Sequence, residues 1–202
     1  MDAWLYEEFV SVPRAACFPV ELRPPTGFQP DDPSTWPRVE GRLEYVEGRL
    51  LYMPPCGDTQ QFVCISVAGL LDAWSQLHPE FAVGGNEAGM ILGAEVRGAD
   101  AAVWRRRDLP QRSGGYQRVP PVLAVEVAGL DEDEAELREK ARWYLAHGVG
   151  VVWLVLPETR EVIVIRPGAE TRARRGERLP PHPDLPGLEP EVDRFFRQLD
   201  PA

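Results

Sequence analysis

The stretch 121–156, PVLAVEVAGLDEDEAELREKARWYLAHGVGVVWLVL, decides the fold. Its first part, PVLAVEVA at 121–128, is almost continuously apolar and rich in valine. That pattern predicts a strand buried on both faces, in the middle of a sheet covered by helices. Residues 132–147 have helical spacing, with an acidic first turn that suits the helix dipole and Gly148 placed to end the helix. A second apolar strand follows at 150–156. Strand, helix and strand in that order predict helices packed on a sheet.

The neighbouring segments extend this reading. Residues 39–53, VEGRLEYVEGRLLYM, place Glu47-Gly48 between two β-prone runs, which predicts a hairpin. Residues 59–77 carry Phe62, Val63, Val67, Leu70, Leu71, Trp74 and Leu77 at helical spacing, and Gly84-Gly85 is expected to break the chain after them. Short strands are expected near 89–93 and 98–104, and again at 150–156 and 161–166. Residues 1–37 contain seven prolines. They read as an irregular arm with a short helix at 2–9, before a single domain at 38–199. EVDRFFRQL near the end reads as a short amphipathic segment. The expected class is α/β (α+β): a mixed sheet flanked by helices, with an N-terminal hairpin.

Composition narrows the functions. The chain has 202 residues, 44% hydrophobic and 27% charged, close to soluble globular averages, which excludes wholesale disorder. No apolar run is long enough to span a membrane. The acidic start MDAWLYEEFV lacks the basic region of a secretory signal, so the cytoplasm is the expected address. Cys17, Cys56 and Cys64 form no CxxC pair, which argues against a disulfide framework or a zinc ribbon. A net charge of −10 argues against a surface that coats nucleic acid broadly. There is no GxxxxGK[ST], GxGxxG or GxSxG motif.

Three residues stand out. Asp100 lies among alanines in GADAAVW, and Glu126 lies inside LAVEVA. A lone buried carboxylate costs several kcal/mol (roughly) unless it is paired, neutralised or bound to metal. One reading is an ion pair with a core arginine, or exposure at strand ends. The other is a shared site for a hard divalent cation such as Mg²⁺. Lys140 is the single lysine beside 21 arginines. It is in phase with Leu137, Ala141, Tyr144 and Leu145, so it points toward the sheet and can reach Glu126.

These segments resemble the Uma2 (DUF820) family, a branch of the PD-(D/E)XK restriction-endonuclease-like superfamily. The resemblance is carried by LEYVEGRLLYMPP at 43–55, GADAAVW at 98–104, LAVEV at 123–127, EKARWYLAHGVGVVWLVLPETREVIVI at 139–165 and DLPGLEPEVDRFF at 184–196. It implies a restriction-endonuclease-like core and a metal-dependent endonuclease that hydrolyses phosphodiester bonds of nucleic acid, with DNA the expected substrate. It further implies Asp100 and Glu126 as ligands of Mg²⁺ (or Mn²⁺), Lys140 as the lysine supplied by the following helix, and Glu44 as an outer carboxylate. A homodimer is expected by the same analogy. Ala99 stands where the family usually has proline, AGLDEDE replaces a Ser-Pro-Ser-like loop, and Gln60 or Gln61 replaces a histidine.

Other readings stay open. Glu44 could instead pair with Arg42 or Arg49 across the hairpin. Arg105, Arg106 and Arg107 could contact phosphates or form a solvated loop. The acidic run at 131–136 reads as an exposed helix start. His78, His147 and His182 receive no role, and Trp74, Trp104, Trp143 and Trp153 read as core. The altered surroundings and the −10 charge support an alternative: an inactive fold serving as a binding or assembly module.

Overall fold

A computed structural model describes residues 18–111, 114–130 and 132–200. The helix expected at 2–9 and Cys17 lie outside these residues. In chain order the strands and helices begin with β1 (Val20–Leu22), β2 (Arg42–Val46), β3 (Arg49–Met53), α1 (Asp58–Ser75), β4 (Phe81–Leu92) and β5 (Glu95–Arg105). They continue with β6 (Leu123–Val127), α2 (Glu134–Ala146), β7 (Val151–Leu156), β8 (Glu161–Arg166), β9 (Ala169–Ala173) and α3 (Asp193–Phe196). This is the expected class, a mixed sheet flanked by helices.

The decisive stretch forms the middle of the molecule. β6 and β7 pair in parallel, Leu123 with Val151 through Val127 with Val155, and every residue of both strands is buried. α2 is the crossover between them. Its start is fixed by a capping box: Asp133 accepts from the Glu136 amide, and the Glu136 carboxylate accepts from the Asp133 amide. α2 lays Leu137, Ala141 and Tyr144 on Ala124, Val152 and Leu154. α1 covers the other face, where Val63, Val67, Leu71 and Trp74 meet Ala101, Val125, Val127 and Trp153.

Among the described residues, the nine strands form one sheet in the order β1-β3-β2-β5-β6-β7-β8-β9, with β4 paired to β5. The β2–β3 hairpin turns at Glu47 and Gly48, both at positive φ (51° and 79°), as a two-residue type I′ turn requires. Among the described residues, no helix is long and apolar enough to cross a membrane.

Four local expectations differ from the structure. Gly84-Gly85 does not end a segment; both lie inside β4, which is far longer than the strand expected at 89–93. A side chain fits poorly there, because a Cβ on Gly84 would come within 2.9 Å of the Trp104 ring. β5 likewise runs beyond 98–104, from Glu95 to Arg105. Val20–Leu22, within the stretch expected to be irregular, adds an edge strand to β3. Ala169–Ala173 is a further strand at the opposite edge. It is mostly exposed and polar, so it lacks the alternation that marks a half-buried strand.

The amphipathic segment near the C-terminus closes the α1 face. Phe195 and Phe196 are buried there, and Phe195 meets Trp153 edge-on at 5.8 Å. Phe195→Ala should therefore cost about 3–5 kcal/mol in urea unfolding, as for an aromatic removed from a packed core. A change under about 0.5 kcal/mol, the usual surface value, would show that this segment is not core.

Candidate functional site

β5 and β6 are antiparallel neighbours, with Ala101 opposite Val125. Continuing that register by one step sets Asp100 across from Glu126. The Asp100 carboxylate accepts from the Val127 amide at 2.7 Å, so the two acids sit at adjoining points of the sheet. Asp100 is 9% exposed and Glu126 1%.

α2 brings two groups to Glu126. The Tyr144 hydroxyl donates to Glu126 Oε1 at 2.6 Å, and Lys140 Nζ donates to Oε2 at 3.3 Å. The same ammonium donates to Glu132 Oε1 at 2.9 Å. The expected phase of Lys140 is thus the observed one, and its amine is held between two carboxylates.

Glu44 lies on β2, is buried, and accepts from the Gly98 amide at 3.2 Å. It is not the cross-strand partner of an arginine, since β3 sets Leu51 opposite it. Arg42 instead reaches Glu87 on β4, at 3.2 Å. Asp100, Glu126, Lys140 and Glu44 therefore belong to one cluster.

Its electrostatics are those of too many acids for two cations. Burial pushes the Glu126 carboxyl up to about 8; the Lys140 charge and the Tyr144 hydroxyl pull it down, while Asp100 and Glu44 raise it further. Burial also raises Asp100, opposed in part by the Val127 amide, Arg42 and Lys140. Glu87 is pushed to about 7, mainly by burial and against the pull of Arg42. For Lys140, burial alone would favour the neutral amine. The charges of Glu126, Glu44 and Glu132 outweigh it and hold the ammonium charged well above its ordinary range. Arg42 is the second cation; its Nε is buried without a hydrogen-bond partner among the described residues.

A cleft of about 450 Å³ opens over Glu44, Glu132, Lys140 and Arg42. Leu130 stands at its edge, 98% exposed. Gln60 forms part of the wall and donates to the Val127 carbonyl at 2.9 Å, tying α1 to the strand that carries Glu126. Cys64 lies beside Asp100, where burial pushes its thiol up, so it is not a thiolate nucleophile.

The donor set suits a hard cation: clustered carboxylate oxygens whose charge Arg42 and Lys140 do not balance. Among the described residues, no three His, Cys, Asp or Glu side chains already converge as ligands. Asp100 and Glu126 could hold one ion only with oxygens of water or substrate completing the shell. Mg²⁺ commonly binds in this way.

Three members of the cluster are not legible in the sequence. Glu132 sits in the acidic run read as an exposed helix start, yet it folds back on Lys140 and accepts from the Gly129 amide at 3.0 Å. Glu87 follows the two glycines read as a break. Tyr144 reads as core, and only the structure shows where its hydroxyl points.

The remaining candidates lie elsewhere. Arg105 pairs with Asp184 at 2.6 Å, Arg106 donates to the Pro79 carbonyl, and Arg107 lies by Asp108. His78 stacks on Trp74, His147 packs on Trp143, and His182 accepts from the Asp184 amide. Trp74, Trp104 and Trp153 are core, and Trp143 lies under Arg97 at 4.5 Å.

Comparison with known proteins fits this architecture. The model of the Uma2 family, described as "Putative restriction endonuclease", matches residues 30–196. Among solved structures, a crystal structure described as a "putative nuclease belonging to DUF820" from Anabaena variabilis is similar, with a TM-score of 0.72. It is 19% identical, over 82% of this chain and 96% of that one, a likeness that concerns the fold alone. No curated protein matches.

The raised Glu126 carboxyl has a consequence for stability. In the unfolded chain it ionises near its ordinary 4.5, whereas in the folded protein it stays protonated up to about 8. The folded state then binds the extra proton, so metal-free stability should fall as pH rises from about 5 to 8. Glu126→Gln should flatten that slope and, at pH 8, melt several degrees above wild type, for a gain of about 1–2 kcal/mol. Melting curves across pH check this, and an equal slope in both proteins would refute it.

Proposed function

Because the chain belongs to the Uma2 family, we propose that it is an Mg²⁺- or Mn²⁺-dependent endonuclease that hydrolyses phosphodiester bonds of nucleic acid, with DNA as the first substrate to test. The observation that carries this reading is the lone lysine of the chain, which bonds to Glu126 and Glu132 and lines an open cleft.

The roles follow from the contacts. Asp100 and Glu126 would hold the ion, with Glu44 behind them as an outer carboxylate. A bound Mg²⁺ lowers the pKa of a coordinated water and neutralises charge that develops on phosphoryl oxygens. Asp100 is oriented by the Val127 amide and Glu126 by the Tyr144 hydroxyl. An ammonium has three donors, and Glu126 and Glu132 take two of those on Lys140. The third remains for an attacking water or a phosphate oxygen. In-line attack by water forms one P–O bond and breaks the bond to the departing sugar oxygen. Charge spreads over the phosphoryl oxygens meanwhile, and a fixed ammonium stabilises it there.

Two experiments test the reading. Calorimetric titration of chelator-stripped protein with Mn²⁺ should give stoichiometric binding that disappears in Asp100→Asn. Cleavage of plasmid and oligonucleotide DNA should require the metal and fall by roughly 10²–10³-fold in Lys140→Arg. Guanidinium keeps the charge but not the compact shape that fits between two carboxylates. Folded wild-type protein that binds no Mn²⁺ and cleaves nothing would instead be a binding or assembly module. Cleavage unchanged in both variants would come from a contaminating enzyme.

A further inference from the structure

A second cleft, of about 420 Å³, lies against the first. The two share Arg42, Glu44 and Arg97 as a common wall. The first is lined by Lys140 and by Glu44 and Glu132 of the acid cluster. The second, besides Glu44 and Glu87 of that cluster, is walled by Trp36 and Tyr116 and edged by Arg38. None of these three residues belongs to the acid cluster, and Trp36 is not among the tryptophans of the core.

We infer that this second cleft holds one unpaired nucleotide of the substrate, stacked on Trp36 and Tyr116, so that the chain acts on single-stranded or locally opened nucleic acid. This rests on the nuclease reading for its ligand class and adds the form of the substrate.

Both aromatic rings are fixed in place. Trp36 donates its indole N–H to the Pro30 carbonyl at 3.2 Å and meets Phe28 and Tyr116 at a tilt of 57°, with ring centroids at 5.5 and 5.6 Å. Tyr116 is anchored through its neighbour Gln117, whose amide and carbonyl bond to Gly89 and Ile91 of β4. Its ring lies directly on Gly89, where a Cβ would meet it at 2.6 Å. A glycine at that point of β4 is what lets the ring reach the cleft wall.

Size and charge both favour a single nucleotide. The volume falls in the small-ligand range of about 300–1,000 Å³. Arg38 is exposed and has no ion-pair partner among the described residues, so it is free for a phosphate. A chain of net charge −10 lacks the broad basic surface that holds a duplex through many phosphates. Stacking on aromatic rings supplies affinity without that surface and tolerates any base. Arg42, Glu44 and Arg97 line both clefts, so a nucleotide in the second would lie beside the cleft that Lys140 lines.

The test reads binding and leaves cleavage aside. Asp100→Asn protein is titrated, by fluorescence anisotropy, with a labelled 12-nucleotide single strand and with its duplex. Far-ultraviolet dichroism and melting control for folding. The single strand should bind at least about 10-fold more tightly than the duplex. Adding Trp36→Ala should weaken the single strand by about 10-fold or more, Trp36→Phe by much less, and neither should change duplex binding. Arg38→Ala, at an exposed position where folding is not at stake, should weaken it several-fold and reduce its salt dependence. Duplex bound as tightly as the single strand overturns the inference, as does single-strand affinity unchanged in both folded Trp36→Ala and Arg38→Ala. Wild-type protein that shows the stacking signature but cleaves nothing with Mn²⁺ supports the inference while removing the nuclease reading. Duplex cleavage indifferent to Trp36 and Arg38 does the reverse.

Discussion

The rest of the structure depends on a carboxylate buried in the centre of the sheet. Glu126 is 1% exposed and sits in a strand whose other residues are all apolar. A charge there is costly unless it is neutralised, and breaking a buried pair leaves the remaining charge uncompensated. The solution lies on α2, the helix that the strand itself leads into. Tyr144 and Lys140 are four residues apart, so they share a face and both reach Glu126. The crossover that permits parallel pairing of β6 and β7 is thus also the element that makes Glu126 tolerable. Lys140 is in turn held by Glu132, just before the helix cap. The cap, the crossover and the partners of Glu126 are fixed by one short segment.

A second constraint acts from the opposite side. β4 and β5 pair regularly from Phe81 to Gly85 and again from Ala88 to Leu92, with a register shift between. The two bulged residues, Asn86 and Glu87, oppose the single residue Asp100 on β5, and both take positive φ (54° and 59°). A non-glycine residue in that region costs of order 1 kcal/mol or more. Such bulges gather beside active sites, where they re-aim a side chain. Here the bulge turns Glu87 across Gly98 onto Arg42, and a Cβ on Gly98 would lie 3.3 Å from the Glu87 carboxylate. The local rules of strand pairing are broken only a few ångströms from the acid cluster. Buried charge and backbone strain therefore coincide in one place, as they do where a fold gives up stability for function.

The two clefts meet at Arg42, Glu44 and Arg97, so the hairpin β2–β3 is more than an edge of the sheet. Through Arg42 it supplies the second cation of the cluster, and through Glu44 a fifth carboxylate. Its anchoring to β5 is slight: one residue pair, Tyr45 with Val96, and the Glu44–Gly98 contact. The site is thereby assembled from four strands and one helix, contributed by segments far apart in the chain.

The sequence by itself determined the strand–helix–strand order of 121–156, the hairpin turn at Glu47-Gly48, and the inward phase of Lys140. Each of these is a local pattern: an apolar run, a pair of turn residues, a repeat of 3.6 residues. It also marked Asp100 and Glu126, because a carboxylate among alanines and valines is conspicuous without any knowledge of its partners. Only the tertiary structure decided who those partners are. Glu132 resembles every other acid in its run until the loop folds back onto Lys140. Arg42 meets Glu87 across 45 residues, a pairing set by strand order and by a bulge that Gly84-Gly85 disguised as a break. Trp36 became a cleft wall only once the segment at Tyr116 was laid on Gly89. Periodicity reports which way a side chain faces. What it meets there depends on register and on the order of strands in the sheet, which no local spacing encodes.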